Sequence, residues 1–425
     1  METNILVYGA VADGKTLNTE AIQKAIDAVA ESGGGRVTIP SGTFLSGTIW
    51  LKSHVELHLE NGAVLKASEN LDDYNAEDAY RQNYGFPPEG WIGKHFIIAV
   101  ETTRVSITGN GVIDASGDAF FGEPRNPFAT DFIFRYGNAV SKEGTVRPGQ
   151  VVCFIESRDV TVRDISITNS PCWDLFIHGC EDVTVSGMRV KNCPWYANTD
   201  GIDIDSSRNV TVSNCIFDTA DDAIAIRCAG YRIREDLVVC ENITITNCVC
   251  AARSSGVRIS VGRGTIRNVT MSNLVFRECS PAINIECSYS YNGKGHINVE
   301  NVLISNCIAD DVGIPINVYE NNDCYIKNVS VSNFRATAKC QCRFKADDIG
   351  AVSNITFRDV SIDLSNPTFK LTDHTRNTRG TAAVSVTGVN SIHFDNVRIN
   401  KPDEVDLDYY LEEDSTNVTK VNCNF

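Results

Sequence analysis

Short runs of alternating apolar and polar residues recur along most of the chain. RVTIP, GTIWLK, VELHLE and AVLKA open the series from Arg36. Each reads as a strand with one buried face, because successive side chains on a strand point to opposite sides. A single phrase then returns: TRVSITG near Val105, RDVTVRD near Val160, EDVTVSG near Val183 and RNVTVSN near Val210. It continues as ENITITN near Ile243, RNVTMSN near Val269, ENVLISN near Val302 and KNVSVSN near Val329, with weaker copies near Ile355 and Ile392. From 160 to 355 the copies follow at intervals of 23 to 33 residues. Three short strands and three turns fit such an interval at about 3.3 Å per residue. The pattern predicts an all-β fold, a right-handed parallel β-helix, as one solenoid domain over 1–425. Asn at the repeated turn is expected to stack from coil to coil in a hydrogen-bonded ladder.

One stretch carries the helical period. Asn18 or Thr19 can cap it, Glu20 falls in its first turn, and Ala21, Ile22, Ala25, Ile26 and Val29 follow at helical spacing before Gly33, Gly34 and Gly35 end it. Residues 1–40 are read as a cap over the open end of the solenoid core. Residues 70–95 and 115–150 break the rhythm and are rich in aromatics, including Tyr74, Tyr80, Trp91, Phe120, Phe121 and Phe128. Long loops on a solenoid are expected to wall a binding cleft.

Parity within the repeated strands lines up one face. The pairs Leu175/Ile177, Ile202/Ile204, Ile224/Ile226, Val257/Ile259, Ile283/Ile285 and Ile316/Val318 are assigned inward. Two outward columns follow: Phe176, Asp203, Ala225, Arg258, Asn284, Asn317, and His178, Asp205, Arg227, Ser260, Glu286, Tyr319. Arg, Asn, His and aromatic side chains suit hydrogen bonding and stacking to a sugar. Structural ion pairs such as Asp205–Arg227 are the alternative reading of the same columns.

The net charge of −16 with no basic run argues against nucleic acid or an anionic membrane as partner. It also disfavours a polyanionic substrate unless a local basic cleft overrides it. No apolar run approaches the roughly 20 residues of a membrane span. The N-terminus lacks the charged and apolar regions of a signal peptide. Several of the 16 cysteines follow Asn at equivalent repeat positions: Cys193, Cys215, Cys248 and Cys307. That placement suits small buried side chains, and reduced thiols in a cytoplasmic protein are expected. The spacings Cys248-Val-Cys250 and Cys340-Gln-Cys342 lack a matching second pair, so no zinc site is assigned.

The chemistry is concentrated between Asn198 and Arg227. Asp200, then Asp221 and Asp222, precede two successive repeat strands, Gly201-Ile202-Asp203-Ile204 and Ala223-Ile224-Ala225-Ile226. Stacked coils lie about 4.8 Å apart, so three carboxylates gather on one patch and their repulsion raises at least one pKa. A protonated carboxylic acid beside an ionised carboxylate is equipped to hydrolyse a glycosidic bond. Asp200 and Asp222 share the parity of the inward isoleucines, so this holds only if the chain turns or bulges before each strand.

These residues resemble glycoside hydrolase family 28, the polygalacturonase family. The resemblance rests on NTD at Asn198–Asp200, DD at Asp221–Asp222, NSPCW at 169–173 and the opening VYGAVADGKTLNTEAIQKAIDAV. It implies inverting hydrolysis of an α-linkage without a metal or cofactor. Asp221 would protonate the leaving oxygen, and Asp200 and Asp222 would deprotonate the water. Asn198 and Trp173 join the substrate-binding set through the same motifs. Inverting carboxyls are expected roughly 6.5–9.5 Å apart. The family's Gly-His-Gly should fall at Arg253–Gly256, where there is no His. Its Arg-Ile-Lys should fall at Asn284-Ile285-Glu286, where both cations are absent. The resulting expectation is an exo-acting hydrolase on a pectin-related or other plant-derived oligosaccharide. A neutral sugar such as rhamnose or xylose lies on one side of the cut bond. A non-catalytic carbohydrate-binding protein and a polysaccharide lyase or epimerase are the alternatives.

Overall fold

A computed structural model describes residues 1–79, 91–123, 142, 146–230, 233–287, 297–321, 323–365 and 380–425. Much of both aromatic-rich segments lies outside them: residues 80–90, 124–141 and 143–145. Their expected role as cleft walls is not described. Tyr74, Phe120 and Phe121 are described, and all three are buried.

The repeated phrases form strands that pair in parallel, coil upon coil, as a right-handed parallel β-helix. The phrase strands build one face, from Thr103–Gly109 through Arg158–Arg163, Glu181–Ser186 and Arg208–Ser213 onward. A second face is a sheet of twelve strands running from Ile49–Trp50 at one end to Asp408–Glu413 at the other. The paired strands Leu175–His178, Ile202–Asp205, Ile224–Cys228, Val257–Gly262, Pro281–Glu286, Ile314–Glu320 and Cys342–Ala346 lie within it. Every residue assigned inward on this face is fully buried, so each isoleucine or valine stacks on its equivalent one coil away. Phe217, Phe276, Phe334, Phe357 and Phe394 fill the same core from another side.

The helix spans Thr19–Glu31 and buries Ile22, Ala25, Ile26 and Val29 in that core. Asn18 precedes it but does not cap it. Its side chain instead bonds to the backbone of Val11, Thr16 and Leu45, tying the entry strand down. Gly33 and Gly34 take positive φ, and a Cβ on Gly35 would lie 1.7 Å from the Met1 carbonyl oxygen. No helix among the described residues is long and apolar enough to cross a membrane.

The turn ladder is present. Asn242 donates to Asn209, Asn268 to Asn242, Asn301 to Asn268, Asn328 to Asn301 and Asn354 to Asn328, at 2.9 to 3.2 Å. Each of these residues has positive φ, a region Asn tolerates better than other side chains. Cys215, Cys248 and Cys307 are buried where the repeat places them, whereas Cys193 is half-buried.

The ladder yields a test. Asn301→Ala should lower stability by about 1–2 kcal/mol, since Ala is strained at φ 58°. Asn301→Gly should cost less, because it removes the side-chain bonds but relieves the backbone. Urea unfolding of both variants checks the order; equal losses would assign the cost to the ladder bonds alone.

Candidate active site

Asp200 and Asp222 occupy equivalent positions in adjacent coils, just before the strands Ile202–Asp205 and Ile224–Cys228. The Gly201 N–H donates to the Asp222 carbonyl and the Ala223 N–H to that of Ser255, both at 2.9 Å. Bends at Gly201, Ala220, Asp221 and Ala223 interrupt the strand parity here. The carboxylates therefore do not continue the isoleucine stacks. One oxygen from each of Asp200, Asp221 and Asp222 lies within 4.8 Å of the others, with Asp221 half-buried and its two neighbours buried. A Cβ on Gly201 would sit 2.5 Å from the Ala223 carbonyl oxygen and 2.6 Å from the Phe217 ring. Only glycine lets this turn pack so closely.

This spacing corrects the expected 6.5–9.5 Å. The register sets it: Asp200 and Asp222 are separated by a single strand spacing, and Asp221 is the immediate neighbour of Asp222. The Asp222 carboxylate is held on both sides, by the Ser255 N–H at 2.8 Å and Arg258 at 3.3 Å. Asp200 Oδ1 has no hydrogen-bond partner among the described residues. Burial, then the charges of Asp221, Asp203 and Asp222, push the Asp200 carboxyl well above the usual carboxylate range, opposed by Arg227. Among the described residues these aspartates are the set of acids that converges as metal ligands would. Arg258 and the Ser255 N–H already occupy both oxygens of Asp222, which makes the set a poor cation cage.

The outward columns run in register as assigned. Phe176, Asp203, Ala225, Arg258, Asn284 and Asn317 face one another strand by strand. The second column pairs His178, Asp205 and Arg227, is broken by an irregularity after Ile226, and resumes with Ser260, Glu286 and Tyr319. Outward, however, does not always mean exposed. His178 is fully buried, stacked on Phe176 with ring centroids 5.1 Å apart, and its Nδ1 lies 3.7 Å from Asp205. It is not at the surface where a sugar could stack. The outer face of the early coils is covered instead: Cys153, Cys172, Trp173, Phe176, Ala229 and Val261 form a second apolar cluster. Asp203 is likewise fully buried and ion-paired with Arg227 at 2.7 Å. Burial pushes its carboxyl up to about 7 against the pull of Arg227. Burial works against the Arg227 charge as well, yet Asp203, Asp205 and Asp200 around it hold its pKa up. Its guanidinium lies 4.2 Å from the Trp173 ring centroid. Asp203, Arg227 and Trp173 thus form one buried set whose charges act on Asp200. His178 and Asp203 are corrected from sugar contacts to supports.

Further along the face Asn284 and Asn317 remain buried. Asn317 donates to Asn284 at 2.6 Å and Asn284 to Glu286 at 3.3 Å. Glu286 and Tyr319 are half-buried. Asn198 adopts positive φ and accepts a bond from Arg147 at 2.7 Å. Arg147 also donates to the carbonyls of Pro171 and Ala197, so one buried guanidinium ties NSPCW to NTD. Sequence reading missed Arg147, which sits in an irregular segment with no periodic signal. It also missed Ser255, which acts through its backbone. Arg343 and Lys345 continue the two columns beyond Asn317 and Tyr319, and alternation with Cys342 and Phe344 could have revealed them.

An exo-poly-alpha-D-galacturonosidase from Dickeya chrysanthemi is 32% identical over 252 residues, covering 52% of this chain and 41% of that protein. A probable polygalacturonase from Vitis vinifera is 26% identical over 302 residues, covering 68% of this chain and 58% of that protein. The chain thus spans about half the length of these curated relatives. The crystal structure of a Thermotoga maritima exopolygalacturonase superposes with a TM-score of 0.71 at 22% identity, covering 94% of this chain and 92% of that one. That likeness establishes the fold. The family model for glycosyl hydrolases family 28 matches residues 33–322, and the chain belongs to that family.

Proposed function

We propose that the protein is an inverting α-glycoside hydrolase acting on a pectin-related oligosaccharide, from one end, with a neutral sugar beside the cut bond. The convergence of Asp200, Asp221 and Asp222 carries this reading. Asp221, the most accessible of the three, protonates the leaving oxygen. A water between Asp200 and Asp222 attacks the anomeric carbon and gives up its proton to them as the C1–O bond breaks. Oxygens 4.8 Å apart can both bond to one water, since each bond needs only about 2.7 Å. The raised pKa of Asp200 fits if one proton belongs to the trio as a whole. On this mechanism a proton on Asp221 removes one of the like charges that, after burial, raise Asp200.

The short spacing favours a second reading, since retaining pairs sit roughly 5–5.5 Å apart. The third carboxylate weighs against it, because a covalent nucleophile and one acid suffice for retention. Exo action is supported by the named activity of the Dickeya relative. The neutral sugar is supported by Asn284 and Glu286, which present an amide and a negative charge where the family motif has two cations. The cysteines are free thiols, and all but Cys193 and Cys423 are buried. These thiols support a cytoplasmic location.

Asp221→Asn should lower kcat by about three orders of magnitude with unchanged thermal unfolding. NMR of the first product from the parent enzyme should show the β-anomer. An α-anomer would replace inversion by retention, and near-normal turnover of the variant would remove Asp221 from the chemistry.

Asp200→Asn should abolish turnover and stabilise the fold in a pH-dependent way. A carboxyl whose folded pKa is raised binds its proton more tightly in the native state, so its ionisation costs stability as pH rises above the unfolded value near 3.8. The variant should match the parent at pH 4 and exceed it at pH 7.5 in urea midpoint. No gain at pH 7.5 would mean the carboxylate is compensated in the native protein.

Arg258→Gln removes a cation 3.3 Å from Asp222. Loss of positive charge disfavours ionised carboxylates. Both limbs of the kcat/KM–pH profile should therefore move to higher pH. An unmoved profile would show that Arg258 does not act on the trio.

A further inference from the structure

Beyond the bond-cleaving trio, the same face carries a second constellation. Strand Cys342–Ala346 pairs in register with Ile314–Glu320, so Arg343 stands beside Asn317 and Lys345 beside Tyr319. These are the columns that contain Arg258, Asn284 and Glu286. Arg343 and Lys345 lie four strand spacings beyond strand Ile224–Cys228, about 19 Å. Resting on the reading of this face as a glycan cleft, we propose that Arg343, Lys345 and Tyr319 form a distal subsite for the carboxylate of a uronic acid unit.

The side chains are arranged for that task. Arg343 Nε donates to Asn317 at 2.7 Å, which fixes the plane of the guanidinium. Its carbon lies 4.7 Å from the Tyr319 ring centroid, and Lys345 Nζ lies 5.0 Å from the same centroid. Two cations on one aromatic ring are thus held within reach of a single bound group. Arg343 makes no ion pair with a carboxylate among the described residues. Burial pushes its pKa below the usual value, despite the opposing charges of Glu286, Tyr319 and Asp347. A partly desolvated, orientated guanidinium gains more from an arriving carboxylate than a fully hydrated one. Two acids bear on the subsite: Glu286 is the larger charge acting on Arg343, and Asp347 pairs with Lys345 at 2.8 Å and accepts from the Tyr319 hydroxyl at 2.8 Å. Both members of that ion pair are about two-fifths exposed, at 37% and 42%. Exposed pairs contribute little, so a ligand carboxylate can take over Lys345 at small cost.

The arrangement assigns opposite preferences to two points on one cleft. Glu286 repels a uronate near the bond, while Arg343 and Lys345 attract one further along. The chemistry that satisfies both is an oligosaccharide mixing neutral and uronic units.

The probe is a tetrasaccharide alternating rhamnose and galacturonate, together with its carboxyl-reduced neutral counterpart. Isothermal titration uses Asp221→Asn protein, so that turnover does not intrude. The native probe should bind about ten-fold more tightly than the reduced one. Arg343→Gln and Lys345→Gln should each shrink that preference, and the double variant should erase it. Because Arg343 is half-buried, Lys345→Gln serves as the variant least able to perturb folding, with thermal unfolding as the control. Equal affinity for the two probes, or a preference that survives in the double variant, would overturn the subsite. Hydrolysis by the parent protein is scored separately. A carboxylate preference without product would leave the subsite standing and sink the hydrolase reading; product without preference would do the reverse.

Discussion

The hydrogen bond from the Gly201 N–H to the Asp222 carbonyl joins two coils and fixes how far apart their acids can be. It is one rung of a continuous parallel register. Within that register, whatever a repeat carries at one position stands directly beside its equivalent in the next coil, one strand spacing away. Apolar equivalents become the isoleucine and phenylalanine stacks of the core. Asparagines become a ladder. Acids become a cluster of like charges that no unconstrained loop would tolerate. The same rule therefore produces both the stability of the solenoid and the electrostatic stress at its candidate active site.

That stress is contained by the surroundings of the trio rather than by its members. Arg258 and the Ser255 N–H hold Asp222 from the following coil. From the preceding side, Arg227 is clamped between Asp203 and the Trp173 ring, and its charge opposes the rise of the Asp200 pKa. Asp200 itself keeps an oxygen without a hydrogen-bond partner among the described residues. An unsatisfied carboxyl with a raised pKa is poor structure and, on the proposed mechanism, good chemistry, the usual relation between stability and activity at a working site. Asp221 is the least buried of the three, which is why the proposed mechanism assigns it the leaving group.

Much of this was legible because period and parity are local properties of the chain. The repeat interval specified the coil, the alternation specified the inward isoleucines, and the column from Phe176 to Asn317 follows from counting by two, whereas that from His178 to Tyr319 is interrupted after Ile226. Parity, however, reports direction and not cover. His178 and Asp203 point outward and are still buried, because the outer face of the early coils is roofed by apolar residues that arrive from elsewhere in the chain, such as Ala229 and Val261. Carboxyl spacing was misjudged for a related reason. It depends on bends at Gly201 and Asp221 that interrupt the pattern being counted. Arg147 was invisible because its partners, Pro171, Ala197 and Asn198, are distant in sequence and in no repeat relation to it.

The charge along the cleft also separates two quantities that net charge merges. At −16 the whole chain should repel a polyanion at long range. Exposed charges beyond about a Debye length are screened, roughly 8 Å at physiological salt, so what a bound sugar meets is set by side chains within one or two coils. On the proposed reading these are Asp200, Asp221, Asp222 and Glu286 near the bond, and Arg343 and Lys345 further along. A solenoid can vary this sequence of local fields coil by coil without disturbing the core, because inward and outward positions alternate independently. On that reading, Asn284 and Glu286 in place of cations, with Arg343 and Lys345 two coils on, change which unit of a glycan is read, and leave the three aspartates where the register puts them.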